Sequence, residues 1–278
     1  MHLKPLSTLL DIPPSGFDPN HTFTTSWLLP PLLLSLIRLF IFLYCLATQL
    51  THWIYYGVHG ANTLSGREFS FFTVLTFWGI LFYNLFAGMH TLVYALKGRS
   101  WLDGWPRVLQ ALHSFLYTTV VTFPFLVTIV YWAILYSGPW FPVEFNAWSN
   151  ISRHALNALF ALIEIVLPAT NTPPFLHLVG LVIILLIYLA LAYLTYATQG
   201  FYVYSFLNPD TGTGRVTGYC FGIFAAILVI FLVVWGVIWL RRRFTRSGKK
   251  SRKDVERRFS VDTDVEMSGA GGTRTQVK

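Results

Sequence analysis

The sequence predicts an all-α fold, a polytopic membrane protein built as a bundle of about six transmembrane helices. The first observation is a series of apolar runs, several of them longer than about 18 residues, the length that indicates a membrane-crossing helix. The second is the charge content: only 12% of the residues are charged, about half the share typical of soluble domains. The third is that the runs show no alternation of period two, which excludes an outer-membrane barrel. Runs of this length also exclude the buried strands of a soluble sheet.

The composition divides the chain into three parts. Residues 1–36 are predicted to form a cytosolic leader and an interfacial segment. Residues 1 to about 30 are polar and contain proline, which predicts loose order, and the adjoining apolar segment is expected at the membrane surface, because Pro30 and Pro31 interrupt a continuous helix. The leader does not have the pattern of a signal peptide. Residues 37–240 are expected to form the six-helix transmembrane domain. Residues 241–278 are basic and rich in Gly and Ser, which predicts a disordered cytosolic tail.

The six predicted spans cover residues 37–57, 69–96, 108–136, 148–168, 175–197 and 216–240. Arg38 stands at the start of the first span, where its long side chain is expected to snorkel to the cytosolic surface. The fourth span is unusual, because its apolar part is about 13 residues long and a spanning helix needs about 20. Its polar beginning is therefore expected at membrane depth, where polar groups usually face a cavity or the bundle interior. The polar residues concerned are Asn150, Ser152, Arg153 and His154.

The basic residues predict the orientation of the bundle. Lys97, Arg99 and Arg107 flank the turn after the second span, and residues 241–253 contain basic residues and no acidic one. Under the positive-inside rule both features favour cytosolic termini. The tail is also expected to attract anionic lipids, whereas nucleic-acid binding is not expected beside a transmembrane helix. We expect the protein to lie in the endoplasmic reticulum membrane, with the plasma membrane as the second choice. The sequence predicts no particular oligomeric state.

The polar residues within the spans place one hydroxyl and one imidazole in the same leaflet. Thr76 lies about 10 Å inside the second span at 1.5 Å per residue, and His154 lies near the start of the fourth, which enters from the same side. Thr73 and Tyr83 share the helix face of Thr76. A threonine activated by a neighbouring histidine is the minimum for acyl transfer. The alternatives are a threonine bonded to its own backbone and a histidine that only bridges helices.

Supporting groups follow from the same spacing. Asn157, at i+3 from His154, is the better placed residue to orient the imidazole, Asn150 is the alternative, and Tyr83 is a further polar residue on the second span. Glu164 is poorly placed, because it lies about 15 Å further along the axis on another face. No cofactor motif is present. No metal is expected either, because none of the histidines in or beside the spans has a second ligand at i+3 or i+4.

Several of these residues lie in short motifs that resemble the FAR-17a/androgen-induced integral membrane family, most closely its fungal-type branch. The motifs are Val74-Leu75-Thr76-Phe77, Trp148-Ser149-Asn150 followed by Arg153-His154, Leu162-Ile163-Glu164, and Gly200-Phe201-Tyr202-Val203-Tyr204-Ser205-Phe206-Leu207. The resemblance implies a six-helix membrane protein. Animal members hydrolyse fatty acid esters of hydroxy fatty acids with one threonine and one histidine, which match Thr76 and His154 here. The chain departs from the animal pattern at Ile151, where they have a first histidine, and at Tyr136-Ser137-Gly138-Pro139.

The resulting functional hypothesis is a membrane-embedded hydrolase of lipid esters. Thr76 would attack the ester carbonyl and His154 would act as general base and then as general acid, with the substrate entering sideways from the bilayer. No cofactor is required. The alternative is a non-catalytic multi-pass membrane protein: a scaffold, a lipid-binding protein or a small-solute transporter.

Overall fold

Helices make up most of residues 17–269, the part of the chain that the computed structural model describes. In chain order the α-helices are α1 (Pro31–Val58), α2 (Asn62–Arg67), α3 (Phe72–Lys97), α4 (Arg107–Val130), α5 (Glu144–Ile151), α6 (Asn157–Val166), α7 (Leu176–Gln199) and α8 (Thr213–Gly269). Short 3-10 helices occupy Glu68–Ser70, Trp101–Gly104, Ser205–Leu207 and Pro209–Thr211. No β-strand occurs within residues 17–269, only an isolated bridge between Ser26 and Pro168.

Five helices are long and apolar enough to cross a membrane. They are Pro31–Val58, Phe72–Lys97, Arg107–Leu135, Leu176–Gln199 and Thr213–Thr245. Apolar side chains cover their outer surfaces, and Leu186 and Ile187 of α7 are among the most exposed. Since lipid tails are as apolar as these side chains, such surfaces suit a bilayer. The all-α, polytopic membrane fold is therefore confirmed.

The fourth predicted span is a helix interrupted by a π-helical turn. α5, the turn Ser152–Leu156 and α6 follow one another without a break from Glu144 to Val166. This segment is more polar than the five helices above. A second π-helical turn, Tyr131–Leu135, continues α4. Single π-helical turns often mark functional sites, because the extra residue shifts the side chains that follow it.

α1 and α3 are in close contact. Ser35 donates a hydrogen bond of 3.0 Å to the carbonyl oxygen of Gly88. A Cβ atom at Gly88 would lie 2.9 Å from Cδ2 of Leu39, so the absence of a side chain allows the approach. The largest core cluster includes Phe77 and Ile80 of α3, both fully buried.

α1 begins at Pro31, six residues before the predicted start of the first span. Pro31 stands in the first turn of the helix, where proline lacks no hydrogen bond, so the two prolines start the helix and do not interrupt it. Residues 17–30, which precede α1, make specific contacts with the rest of the chain. Phe17 and Phe23 are buried, and the amide of Ala169 donates a hydrogen bond of 2.8 Å to the carbonyl of Thr25.

Arg38 does not snorkel to the surface. Its side chain is 0% exposed and forms a bidentate ion pair with Glu164 of α6, with Nε 2.7 Å from Oε1 and a terminal nitrogen 2.8 Å from Oε2. Another guanidinium nitrogen donates to Thr91 Oγ1 and to the carbonyl of Phe23, at 2.6 and 2.7 Å. The prediction of snorkelling is wrong because a buried carboxylate on another helix provides a partner.

The chain divides into two compact units between Ile238 and Trp239. The second unit contains the basic tail, which is helical up to Gly269 and so differs from the predicted disorder. Residues 239–269 contain no proline, and Lys, Arg and Glu are frequent there and favour helix. Residues 1–16 of the predicted leader and residues 270–278 of the predicted tail lie outside the described residues.

Candidate functional site

A cavity of about 510 Å³ opens beside His154. The end of α1, α2, the start of α3, and the turns at 131–135 and 152–156 contribute to its wall. Its polar lining residues include His52, Glu68, Thr73, Ser149, Arg153 and His154. We call it the His154 cavity.

The imidazole of His154 is held in one orientation by two contacts. Nδ1 lies 3.2 Å from the carbonyl oxygen of Asn150, which accepts hydrogen bonds only, so Nδ1 carries the proton. The ring stacks on Tyr131 with a centroid separation of 3.5 Å and an angle of 11° between the planes. The stack joins the two π-helical turns, since Tyr131 begins one and His154 lies in the other. Nε2 is therefore the acceptor nitrogen of the ring.

Thr76 and His154 line different cavities. Thr76 lines a cavity of about 490 Å³ with Gly79 and Thr119, which we call the Thr76 cavity, and its hydroxyl donates to the carbonyl of Thr73 at 2.9 Å. This backbone bond is the alternative to catalysis that a transmembrane threonine offers. The threonine that lines the His154 cavity is Thr73, one turn earlier on α3. Direct pairing of Thr76 with His154 stays a prediction.

The three supporting residues lie in different environments. Asn150 lines the His154 cavity, where its carbonyl accepts from His154 and its Oδ1 accepts from the Tyr131 hydroxyl. Asn157 is fully buried, and its Oδ1 accepts from Thr128 at 3.0 Å. Tyr83 is also fully buried and donates to Glu164 at 3.2 Å. Asn150 is therefore the one of the three that orients His154.

A smaller apolar cavity adjoins the His154 cavity. It encloses about 140 Å³, and most of its lining is aliphatic or aromatic, with Leu126, Leu185 and Ile223 among the contributing residues. We call it the apolar compartment. The two cavities share the lining residues Thr73, Tyr131, Leu135 and Tyr204. A ligand with a polar group and an apolar chain would find both kinds of surface side by side.

A buried charged network lines the same cavity. Arg153 donates to Glu68 Oε1 at 2.8 Å and to Gln49 Oε1 at 2.8 Å. Nε2 of His52 contacts the Ser149 hydroxyl. Nδ1 of His52 lies 3.2 Å from Glu68 Oε1, but this contact does not have the geometry of a hydrogen bond. Burial alone would raise the pKa of Glu68, but the contact with His52 and the charge of Arg153 hold that pKa below its ordinary value. The carboxylate is therefore ionised at neutral pH.

Sequence reasoning missed this network, apart from the position of Arg153. Glu68 lies in the short 3-10 helix before α3, and Gln49 and His52 lie near the end of α1. One signal was available: Ser149 and Arg153 are separated by four residues and so share a helix face. Within residues 17–269, no group of three or more His, Cys, Asp or Glu residues is arranged to hold a metal ion.

The fold and the cavities together define an all-α polytopic membrane protein with an open cavity between its helices, to which several polar side chains contribute. Comparisons of the chain with protein-family models, with curated proteins and with solved structures returned no match.

Proposed function

We propose that the protein is a membrane-embedded hydrolase of lipid esters, in which a threonine of α3 is the nucleophile and His154 is the general base and then the general acid. The observation that carries the proposal is the imidazole of His154, which two contacts hold in one orientation and which lines a cavity together with Thr73. The resemblance to the FAR-17a/androgen-induced family supports the same chemistry, with fatty acid esters of hydroxy fatty acids as the substrate class.

The chemistry follows from the tautomer of His154. Nε2 accepts the proton of the threonine hydroxyl as the oxygen attacks the ester carbonyl, and the same nitrogen then returns a proton to the leaving alkoxide. Water hydrolyses the acyl-threonine in a second cycle. The apolar compartment would hold an acyl chain next to the reacting carbonyl, and no cofactor takes part.

Two threonines are candidates for the nucleophile. The family motif matches Thr76, whereas the His154 cavity contains Thr73. A rotation of the Thr76 side chain away from the Thr73 carbonyl would be needed before its hydroxyl could act as a nucleophile in that cavity. We therefore test both residues.

The experiment measures hydrolysis of a branched fatty acid ester by the purified protein. We compare wild type with Thr73→Ala, Thr76→Ala and His154→Ala. His154→Ala is expected to lower turnover by about 10²- to 10⁴-fold, the usual contribution of general acid–base catalysis. Of the two threonine variants, the one that removes the nucleophile loses turnover to a similar degree.

Thr119→Ala is the matched control, because Thr119 lines the Thr76 cavity from α4 and bonds its own backbone at 2.8 Å. Its turnover is expected to equal that of wild type. Equal turnover in all variants would remove the assignment of catalysis to a threonine and His154, and no turnover in any of them would remove the enzymatic assignment. A scaffold, a lipid-binding protein or a small-solute transporter would then be the function to test.

The proposal includes the location and the orientation of the protein in the membrane. We place both termini in the cytosol and the protein in the endoplasmic reticulum membrane, with the plasma membrane second. The ester enters from the bilayer, and the basic residues 241–253 bind anionic lipids of the cytosolic leaflet. Protease protection of tagged termini in sealed microsomes tests the orientation: both tags should be digested without detergent, and protection of either tag contradicts it.

A further inference from the structure

Ser149, His52 and Glu68 form a chain of contacts at the wall of the His154 cavity. Nε2 of His52 contacts the Ser149 hydroxyl, and Nδ1 of the same ring lies 3.2 Å from Glu68 Oε1. All three side chains line the cavity and are at least nine-tenths buried. A hydroxyl, an imidazole and a carboxylate in this order have the connectivity of a hydrolytic triad, which is recognised by geometry and not by position in the sequence.

We propose that Ser149 is a nucleophile for carboxylic esters, with His52 as its general base and Glu68 as the residue that positions His52. The proposal rests on the proposed function for the substrate class, since both reactions take an ester into the same cavity. It does not depend on a threonine or on His154. It assigns a second catalytic centre to the cavity.

The reaction requires the tautomer with the proton on Nδ1. Nδ1 lies 3.2 Å from a carboxylate oxygen, which only accepts, and this favours the proton there, although the two groups are not aligned as a hydrogen bond. Nε2 is then free to accept the proton of the Ser149 hydroxyl. Aromatic side chains hold the ring in this position: Phe145, Tyr56 and Trp148 lie at centroid distances of 4.9, 5.4 and 6.3 Å. A base locked by packing needs little reorganisation during the reaction.

Arg153 provides a positive charge for the oxyanion. It lies four residues after Ser149, on the same face of the interrupted helix, and lines the cavity. Two of its nitrogens bond Glu68 and Gln49, whereas Nε is buried and has no hydrogen-bond partner among residues 17–269. Donors that are unpaired in the resting protein suit the charge that develops in the transition state.

The reaction proceeds in two balanced steps. Ser149 Oγ bonds to the carbonyl carbon as its proton moves to His52 Nε2, and the carbonyl oxygen takes the electron pair. Collapse of this intermediate breaks the carbon–oxygen bond to the alcohol, which leaves with the proton from Nε2. Water then attacks the acyl-Ser149, again losing a proton to Nε2, and releases a carboxylic acid while Ser149 regains its proton.

The test labels the purified full-length protein with an alkyl fluorophosphonate and locates the adduct by peptide mass spectrometry. We expect the adduct on Ser149. Ser149→Ala is expected to abolish this adduct, and His52→Ala to slow its formation by at least about 10²-fold. Ser152→Ala is the matched control: Ser152 lies on the same helix, is buried and bonds Trp148 and Tyr44 outside the cavity lining, so its labelling should equal that of wild type.

The positioning role of Glu68 has its own readout. The titratable and charged groups that face His52 are Glu68, Arg153 and Tyr56. Removal of the carboxylate charge in Glu68→Gln takes away the counter-ion of the imidazolium, so the pH midpoint of Ser149 labelling should move to a lower value. A midpoint equal to that of wild type would overturn this role.

The outcomes separate this proposal from the threonine mechanism. An adduct on Ser149 that persists in Thr73→Ala, Thr76→Ala and His154→Ala supports the second centre. An adduct on a threonine with Ser149 unmodified overturns it and leaves the proposed function intact. Absence of any adduct on folded wild-type protein overturns the second centre, and the ester turnover assay then decides the threonine mechanism independently.

Discussion

Replacement of Glu164 by glutamine is expected to destabilise the protein strongly. The carboxylate of Glu164 is 0% exposed and accepts two hydrogen bonds, of 2.7 and 2.8 Å, from the equally buried guanidinium of Arg38. Glutamine retains the shape and one acceptor oxygen but removes the negative charge. Arg38 then carries a buried positive charge that no carboxylate compensates.

The expected magnitude is about 3–5 kcal/mol, the usual cost of removing one partner from a buried ion pair. Coulomb's law gives a similar value, about 4 kcal/mol for two unit charges about 4 Å apart at an effective dielectric constant of about 20. One kcal/mol moves the melting midpoint of a domain of this size by about 2–4 °C, so the midpoint should fall by about 6–20 °C.

The assay follows the melting midpoint in detergent for wild type, Glu164→Gln and the double variant Arg38→Met/Glu164→Met. In the double variant both charges are absent, so no uncompensated charge remains. Thr91 still donates to the carbonyl of Ala87, but the Tyr83 hydroxyl loses its acceptor, which costs about 1–3 kcal/mol. The double variant should therefore melt above Glu164→Gln. A Glu164→Gln midpoint within about 2 °C of wild type would refute the reasoning, because it corresponds to less than about 1 kcal/mol.

Three further predictions concern stability. Because the pKa of Glu68 in the folded protein lies below its ordinary value of 4.5, the ionised carboxylate stabilises the fold above pH 4.5. This contribution is lost as the pH falls through the lowered pKa, so the wild-type melting midpoint should fall more steeply with acid than that of Glu68→Gln. Gly180→Ala should lower the stability by about 1–3 kcal/mol, because the new Cβ would lie 2.6 Å from two ring carbons of Phe115. Gly222→Ala is the control: no atom lies within 4 Å of its Cβ, so this variant should be neutral or more stable by up to about 1 kcal/mol. Ser100→Ala removes a capping box and should cost about 1 kcal/mol by thermal melting.

Each of these predictions has a contradicting result. Parallel pH profiles for wild type and Glu68→Gln would show that the carboxylate has the same pKa in both folded and unfolded chains. Equal midpoints for Gly180→Ala and Gly222→Ala would show that the Phe115 ring moves aside without cost. An unchanged midpoint for Ser100→Ala would show that water replaces the cap.

From the sequence alone, the class of fold and the approximate place of the five long helices could be predicted. A long run of apolar residues must be buried or face lipid along its whole length, so composition is enough to predict the helix. The helix predicted at 175–197, for example, is Leu176–Gln199 in the structure. The sequence also predicted the polar stretch that contains His154, which lies in the π-helical turn between α5 and α6 in the structure. It failed at the first helix, because the same prolines that break a helix interior are well suited to its first turn.

Only the tertiary structure decided which side chains meet. Arg38 and Glu164 are 126 residues apart in sequence, His52 and Ser149 are 97, and Arg153 and Glu68 are 85. Such pairs depend on the rotation and axial position of each helix relative to its neighbours. Local hydrophobic patterns do not predict either quantity. A shift of three residues, less than one helical turn, decides whether Thr73 or Thr76 lines the cavity of His154. Helical periodicity places both on one face, and helix packing selects Thr73.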